Sequence, residues 1–180
     1  MNKRTVQGGG LAAGRFAQLG SRRVVVGRDA SGSVDFDVTT KGMGLLFAHL
    51  MGSSATPVQQ GGTAAYLQTH AFGDNVGKSL SVQAGVPETS GTVRPMSFVG
   101  GKITGASFEC GVDAMLTSTW DFDFRDLDDT KALAAASYPA SGAIFGFMNI
   151  SVKIGTVGAE QAVRGIKKWS AKIERPQATS

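Results

Sequence analysis

The sequence predicts a mainly β protein, an antiparallel β-sandwich or barrel with a short flanking α-helix. Three observations favour this class: adjacent segments with apolar residues on alternate positions, 25 glycines with a charged fraction of only 18%, and the lack of a βαβ rhythm. At 180 residues the chain has the length of one ordinary domain and is long enough to bury a core.

A central hairpin is the clearest pattern, with strands at residues 103–110 and 115–124 and a short turn between them. A side-chain period of two separates an apolar face from a polar one, and we assign to the core Phe108, Trp120, Phe122 and Phe124. Cys110 is predicted to be a small buried residue on the same face as Phe108. A two-stranded hairpin is marginal alone, so it must pack against further strands.

Before this hairpin, residues 1–21 lack a sustained period and are predicted to form a basic N-terminal arm, with residues 22–180 as the β domain. Strands are predicted at 22–27 and 34–40, on either side of a turn-rich stretch at 28–33. Glycines bound the apolar segment 42–52, which predicts a short helix packed on the sheet.

A long loop is predicted at residues 53–63, where Pro57 and a glycine pair interrupt any strand pattern. Residues 64–72 and 79–86 are predicted to pair through a turn at 73–78. Residues 92–99 contain Pro95, which places this strand at an edge or a bulge.

After the hairpin, residues 126–137 begin with carboxylates and continue Lys-Ala-Leu-Ala-Ala-Ala, a composition that predicts a short helix. The last strands are predicted at 143–154 and 164–174. The total is about nine strands and two short helices.

The charges divide the chain into three blocks within a net charge of +4. Residues 1–28 hold six basic and no acidic residues, residues 29–129 hold five basic and twelve acidic, and residues 130–180 hold seven basic and two acidic. Two interpretations stay open: flexible basic ends that aid solubility, or charge complementarity between copies of the chain.

Motifs that resemble catalytic or ligand sites fail on spacing or context. The stretch GDNVGKS at 73–79 is one residue short of a phosphate-binding loop and is followed by a strand pattern, and Gly8, Gly10 and Ala13 follow no apolar strand. The carboxylates between Asp121 and Asp129 match no calcium loop. We therefore predict no enzymatic activity, no metal and no cofactor.

No apolar run reaches the length of a membrane span, and MNKRTVQGGG lacks the apolar core of a signal peptide. We therefore predict a protein without a membrane partner.

Three runs of the sequence resemble tail tube proteins of long-tailed, siphovirus-type bacteriophages. They are KGMGLLFAHL (41–50), TPVQQGGTAAYLQTHAFGDNVGKSLSVQAGVP (56–87), and residues 91–126 continuing into ALAAASYPA (132–140). The most specific parts are YLQTH with GKSLSVQ, then GTVRP and the CGVD turn, and the likeness covers about residues 27–175.

This resemblance implies a structural protein without chemistry: a β-sandwich or barrel with a flanking helix, assembled as hexameric rings that stack into a tube for the genome. It implies as partners other copies of the chain, the tape measure, tail terminator and distal tail proteins, and DNA in transient, non-specific passage. The expected location is the virion tail, after assembly in the host cytoplasm.

The chain also departs from the pattern, because family members usually begin with a further strand-containing segment and extend well beyond a stretch like 172–176. We therefore expect a sheet that is incomplete at its ends and that needs partners at its edges.

A mechanism follows as a hypothesis. Edge strands of neighbouring subunits pair into a continuous barrel, and the polar hairpin face lines the bore, with Glu109, Asp121 and Asp123 facing the lumen to repel phosphates. Candidates for contacts between rings come from the loop and the arm: Pro57, Val58, Gln59, Gln60, Arg4 and Arg15.

Two alternatives stay open. One is a tube protein of a contractile injection system or of a gene transfer particle, which shares the architecture. The other is a monomeric β-barrel that binds a small ligand, which needs a cavity lined by apolar and convergent polar groups.

Overall fold

The computed structural model describes residues 2–7, 23–138 and 142–176, which form thirteen strands, one α-helix and one 3-10 turn. The predicted mainly β class, with antiparallel sheets and one short helix, is confirmed, and the sheets are open rather than closed into a barrel. The strands are β1 (Asn2–Gln7), β2 (Arg23–Asp37), β3 (Gly52–Ser54), β4 (Val58–Gln59), β5 (Tyr66–Leu67), β6 (His70–Phe72), β7 (Leu80–Pro87), β8 (Val93–Gly111), β9 (Thr117–Phe124), β10 (Asp126–Asp128), β11 (Lys153–Ile154), β12 (Gln161–Ala162) and β13 (Lys168–Glu174). In the described ranges no helix is long and apolar enough to cross a membrane.

The chain forms two compact units. The first comprises Met1–Ser31, Leu80–Gly101 and Asp123–Ala134, and the second comprises Gly32–Ser79, Lys102–Phe122 and Ala135–Ser180. Strands β2, β8 and β9 contribute residues to both units.

In the second unit, four strands lie side by side in the order β2, β9, β8 and β13. Strands β2 and β9 run antiparallel, since Ser33 bonds to Asp121 at one end and Val38 bonds to Leu116 at the other. Strand β13 pairs antiparallel with β8, with Ser170 opposite Glu109. Because β9 is also antiparallel to β8, strand direction alternates across the sheet.

Helix α1 (Gly44–Met51) packs on one face of this sheet through aromatic rings. Phe47 stacks on Phe108 at 5.7 Å between centroids and meets Trp120 edge to face at 5.2 Å. Trp120 is fully buried, and its indole N–H donates to the Ser118 hydroxyl at 3.0 Å. Each such ring contact contributes about 0.5–1.5 kcal/mol beyond the burial of area. The four aromatics assigned to the core are all buried: Phe108, Trp120, Phe122 and Phe124.

The predicted helix between two glycines is confirmed as α1, and its end depends on one of them. Gly52 has φ +86° and donates its backbone N–H to Ala48, which terminates the helix in the left-handed conformation. A Cβ at this position would lie 2.3 Å from the Gly73 carbonyl oxygen, so only glycine fits.

In the first unit, β1 pairs with residues 23–29 of β2, and the first half of β8 lies against β7 and β10. The register between β7 and β8 shifts between Leu80 and Val82, opposite Gly100, which has φ +68°. Phe98 and Phe124 contact each other at 5.3 Å between centroids.

The predicted turn at residues 28–33 is wrong, because β2 continues as one strand of 15 residues. Pairing with β1 through Asp29 and with β9 from Ser33 holds both ends extended, and the buried Ala30 lies between them. Within the segment predicted as a basic arm, Asn2–Gln7 form β1 and pair with β2, whereas residues 8–22 lie outside the described residues.

The predicted helix at 126–137 is wrong too. Residues Asp126–Asp128 form β10 instead, and the segment that follows has no regular secondary structure but is bonded through its backbone to Gln83. The Gln83 amide donates to the Ala132 carbonyl at 2.9 Å and accepts from the Ala134 N–H at 2.8 Å. This two-point contact replaces the ladder of a neighbouring strand and outweighs the helix propensity of the alanines.

Other boundaries differ through long-range pairing. The predicted strands 92–99 and 103–110 are both part of β8, which is 19 residues long. The predicted strand 143–154 is instead a 3-10 turn (Phe147–Asn149) followed by β11, which pairs with β12. Residues 64–72 form β5 and β6, and β6 pairs with β3 rather than with β7.

Candidate assembly surfaces

The face of the four-stranded sheet opposite helix α1 is polar, and we call it the polar face. Alternation along the strands brings onto it Ser33, Asp35 and Asp37 of β2, Thr117, Thr119 and Asp121 of β9, Ser107 and Glu109 of β8, and Lys168, Ser170, Lys172 and Glu174 of β13. The lumen candidates Glu109 and Asp121 therefore lie together on this face. Asp123 continues the same alternation on β9 and is exposed, but it belongs to the first unit.

Side-chain bonds link neighbouring strands across the polar face. The Ser33 hydroxyl donates to the Asp121 carboxylate at 2.8 Å, and the Thr119 hydroxyl donates to Asp35 at 2.6 Å. These bonds hold the aspartates in place while leaving each carboxylate an acceptor with free capacity.

Lysines of β13 partly neutralise the acidic face that the hairpin alone predicts. Lys168 forms an ion pair with Glu109 at 2.6 Å, and Lys172 forms one with Glu174 at 2.6 Å. Its hydrogen bond to Glu174 raises the pKa of Lys172, and the same bond lowers the pKa of Glu174. Both groups therefore stay charged at neutral pH, and five carboxylates face two ammonium groups.

These lysines are the site residues that hairpin reasoning missed. The alternation of residues 164–174 predicts a strand but does not indicate which strand pairs with it, because β13 and β8 are far apart in the chain. A shallow groove of about 340 Å³ on this face is lined mainly by hydroxyl and charged groups, including Ser107, Thr119 and Lys172.

A second exposed surface is the ribbon of residues 52–72, which includes the loop predicted at residues 53–63. Strands β3 and β6 pair at its base and β4 and β5 pair near its tip, so Pro57, Val58, Gln59 and Gln60 lie in a β-hairpin. Val58 stands opposite Leu67, and the two side chains are 60% and 57% exposed. An exposed pair of large apolar side chains is suited to contact with another chain.

The tip of the ribbon is held by its own side chains. The Gln59 amide donates to the Thr63 carbonyl at 2.7 Å, and the Thr63 hydroxyl donates to the Gln60 carbonyl at 2.6 Å. The other contact candidates lie near the N-terminus: Arg4 is in β1 opposite Gly27, and Arg15 lies outside the described residues.

The GDNVGKS stretch is a structural turn rather than a phosphate cradle. The Asp74 carboxylate accepts the Val76 N–H at 2.8 Å, and the Lys78 ammonium donates to the Gly52 carbonyl at 2.5 Å. Lys102 donates to the carbonyls of Asn75 and Lys78. Across the described ranges, no group of three or more His, Cys, Asp or Glu side chains is arranged to hold a metal ion.

Comparison with known proteins identifies a protein family. No curated protein matches the chain. The family described as phage tail tube protein matches residues 2–179, which is nearly the whole sequence. Its members are structural components of a virion tail. The chain therefore belongs to the phage tail tube protein family.

Proposed function

We propose that this tail tube protein assembles into hexameric rings, and that the rings stack into a hollow tube through which the genome passes. The observation that carries the proposal is the four-stranded sheet of the second unit. It has one polar face and, among the described residues, an unpaired outer edge along β13 and along residues 32–37 of β2. The hexameric count comes from the resemblance to long-tailed phage tube proteins.

Open edges favour ring formation. A strand edge exposes unpaired N–H and C=O groups, and pairing with the next copy satisfies them. A head-to-tail interface of this kind closes into a ring when the rotation between copies allows it. The edges are then lost and the sheets become one barrel.

The polar face is the side suited to the bore, because the opposite face is covered by α1. With more carboxylates than ammonium groups, this face repels the phosphates of DNA. It does not displace the counterions that are condensed on DNA, so the genome does not bind. In this proposal Glu109, Asp121 and Asp123 face the lumen.

Contacts between rings are assigned to the ribbon of residues 52–72, with Val58 and the neighbouring Pro57, Gln59 and Gln60 at its tip. Arg4 of β1 and Arg15 are proposed to add contacts from the N-terminal side. The exposed Val58–Leu67 pair supports the role of the ribbon, because burial of each such side chain yields about 1.5–3 kcal/mol.

Assembly in the host cytoplasm, on tape measure, tail terminator and distal tail proteins, completes the proposal. Its test is negative-stain electron microscopy and light scattering of the purified protein over a range of concentrations. We expect rings or tubes of uniform diameter with a central channel. A particle that remains monomeric at the highest concentration would overturn the proposal.

A further inference from the structure

The two open edges of the four-stranded sheet are β2 on one side and β13 on the other. In the part of the chain that the structure describes, residues 30–37 of β2 pair only with β9, and β13 pairs only with β8. Direction alternates across four strands, an even number. When copies follow one another in the same orientation, β13 of one copy therefore runs antiparallel to β2 of the next.

Charges on the polar face complement each other across such a junction. The β13 edge carries Lys168, Lys172 and Glu174 and is net positive, whereas the β2 edge carries Asp35 and Asp37 and is negative. If Ser170 stands opposite Asp35, Lys168 is opposite Asp37 and Lys172 is diagonal to Asp35. A shift of two residues places Lys172 opposite Asp35 and Lys168 diagonal to Asp37, with Glu174 diagonal to Asp35, so in both registers the directly opposite pair joins opposite charges.

The other faces of the two edges match as well. Trp169 and Ile173 of β13 point away from the polar face and are only half-buried. Val34 and Phe36 lie on the corresponding side of β2. Phe36 is 40% exposed, whereas Val38, two residues further along the chain, is buried in the core. Pairing of the edges would cover apolar surface on one side while it joins opposite charges on the other.

We propose that β13 of one copy pairs antiparallel with residues 30–37 of β2 in a second copy, and that Lys168 and Lys172 recognise Asp35 and Asp37 there. This inference rests on the proposed ring and names the two surfaces that form it. Each lysine then lies between a carboxylate of its own chain and one of the next chain, so the charges on the polar face are shared around the ring. Complementary charges also select the head-to-tail arrangement, since two β13 edges or two β2 edges repel each other.

The test is charge reversal at each edge. One variant carries Lys168→Glu and Lys172→Glu, and the other carries Asp35→Lys and Asp37→Lys. In either variant alone, the β13 edge and the β2 edge carry charges of the same sign. We therefore expect the concentration needed for assembly to rise at least about tenfold at low salt. Combining all four substitutions in one chain restores opposite signs and should restore assembly.

Mixing the two variants is a sharper test, because alternating copies satisfy every junction in a ring with an even number of subunits. A matched control for the lysine variant, Lys153→Glu with Arg164→Glu, makes the same change in net charge outside the four-stranded sheet and should assemble normally. Thermal unfolding of each variant shows whether the subunit is folded. High salt should reduce the differences between variants.

The outcomes separate this inference from the proposed function. Wild-type protein that forms no rings overturns both. Wild-type rings, together with reversed variants that assemble as readily as the control, overturn the inference alone. Failure of both the mixture and the four-substitution chain to assemble, with folded subunits, also overturns it.

Discussion

At the scale of single residues, Arg175 joins three parts of the second unit. Its guanidinium donates to the Leu50 carbonyl at 3.0 Å, at the end of α1, and to the Gly73 carbonyl at 2.6 Å, while its backbone N–H donates to Thr104. Replacing it by methionine keeps much of the volume but leaves two part-buried carbonyls without these donors. We expect Arg175→Met to lower the free energy of unfolding by about 2–4 kcal/mol, measured by urea denaturation.

A matched control for this substitution is Arg164→Met, at an exposed position, which should change stability by less than about 0.5 kcal/mol. Arg175→Lys should fall between the two, because a single ammonium lacks the fork that contacts both carbonyls. Equal unfolding midpoints for the methionine variants at 175 and 164 would contradict the role assigned to Arg175.

His49 gives the subunit a pH-dependent contribution to its stability. Burial lowers the pKa of His49, and the ammonium groups of Lys102 and Lys78 lower it further. Because the pKa of His49 is lower in the folded subunit, the unfolded chain binds a proton more readily. Protonation therefore favours the unfolded state, and the free energy of unfolding decreases as the pH falls below about 6.5. We expect His49→Gln to reduce the loss of stability between pH 7.5 and 5.5, measured by urea unfolding at both values. A His49→Gln variant with the same pH dependence as wild type would refute this origin.

At the scale of elements, the irregular segment that follows β10 depends on Gln83. The amide of this side chain bonds to Ala132 and Ala134 and also donates to the Ser97 hydroxyl at 2.9 Å. Gln83→Met removes these bonds and leaves an alanine-rich segment with a preference for helix. We expect hydrogen exchange at the Ala134 amide to rise at least about tenfold, measured by mass spectrometry or NMR.

The amide of Ala171, which lies within β13 of the second unit, serves as the internal reference for this experiment. If exchange at Ala134 stays at the wild-type rate in Gln83→Met, something other than Gln83 holds the segment in place.

The ribbon of residues 52–72 makes a separate prediction. Val58→Ser with Leu67→Ser removes the exposed apolar pair without touching buried residues, and we expect folded subunits that form single rings but no longer stack. Deleting residues 57–62 should have the same effect on polymerisation. Electron microscopy distinguishes rings from tubes.

A control for the ribbon is Val157→Ser, which changes an equally apolar side chain that is 95% exposed at another turn. It should leave tubes intact. Tubes of normal length from the Val58 and Leu67 double variant would show that these side chains form no contact between rings.

The sequence predicts the structure correctly where a local pattern determines it, and incorrectly where pairing with distant residues determines it. The period of two around Trp120 correctly separated buried from exposed positions, and glycine correctly marked the end of α1 at residue 52. Local signals favour a turn at residues 28–33 and a helix at residues 126–137. Partners distant in sequence instead hold residues 28–33 and 126–128 in strands and bond to the backbone of residues 132 and 134. On the polar face, the carboxylates were visible in one hairpin, but the lysines came from a strand whose neighbour the sequence does not reveal.

At the scale of the whole molecule, two of the three charge blocks of the sequence meet in the fold. The acidic middle of the chain supplies the carboxylates of β2, β8 and β9, and the basic C-terminal block supplies the lysines of β13 beside them. An acidic surface that also carries cations remains repulsive to DNA while its own carboxylates repel one another less. The excess of carboxylates over lysines therefore sets how freely DNA moves along this face in the proposed tube.

This balance gives the last prediction, for the substitutions Glu109→Gln, Asp121→Asn and Asp123→Asn in one chain. The amides keep acceptors for Ser33 and the side-chain volumes, so we expect tubes to form, but the repulsion of phosphates is reduced. Reconstituted particles should release DNA more slowly than wild type at low ionic strength, and the difference should shrink as salt screens the charges. The control, Asp74→Asn with Asp113→Asn and Glu160→Gln, removes as many charges away from the polar face and should release DNA at the wild-type rate. If both triple variants release DNA at the same rate at low salt, these three carboxylates do not face the lumen, because charges on the outer wall are too far from the DNA to affect its release.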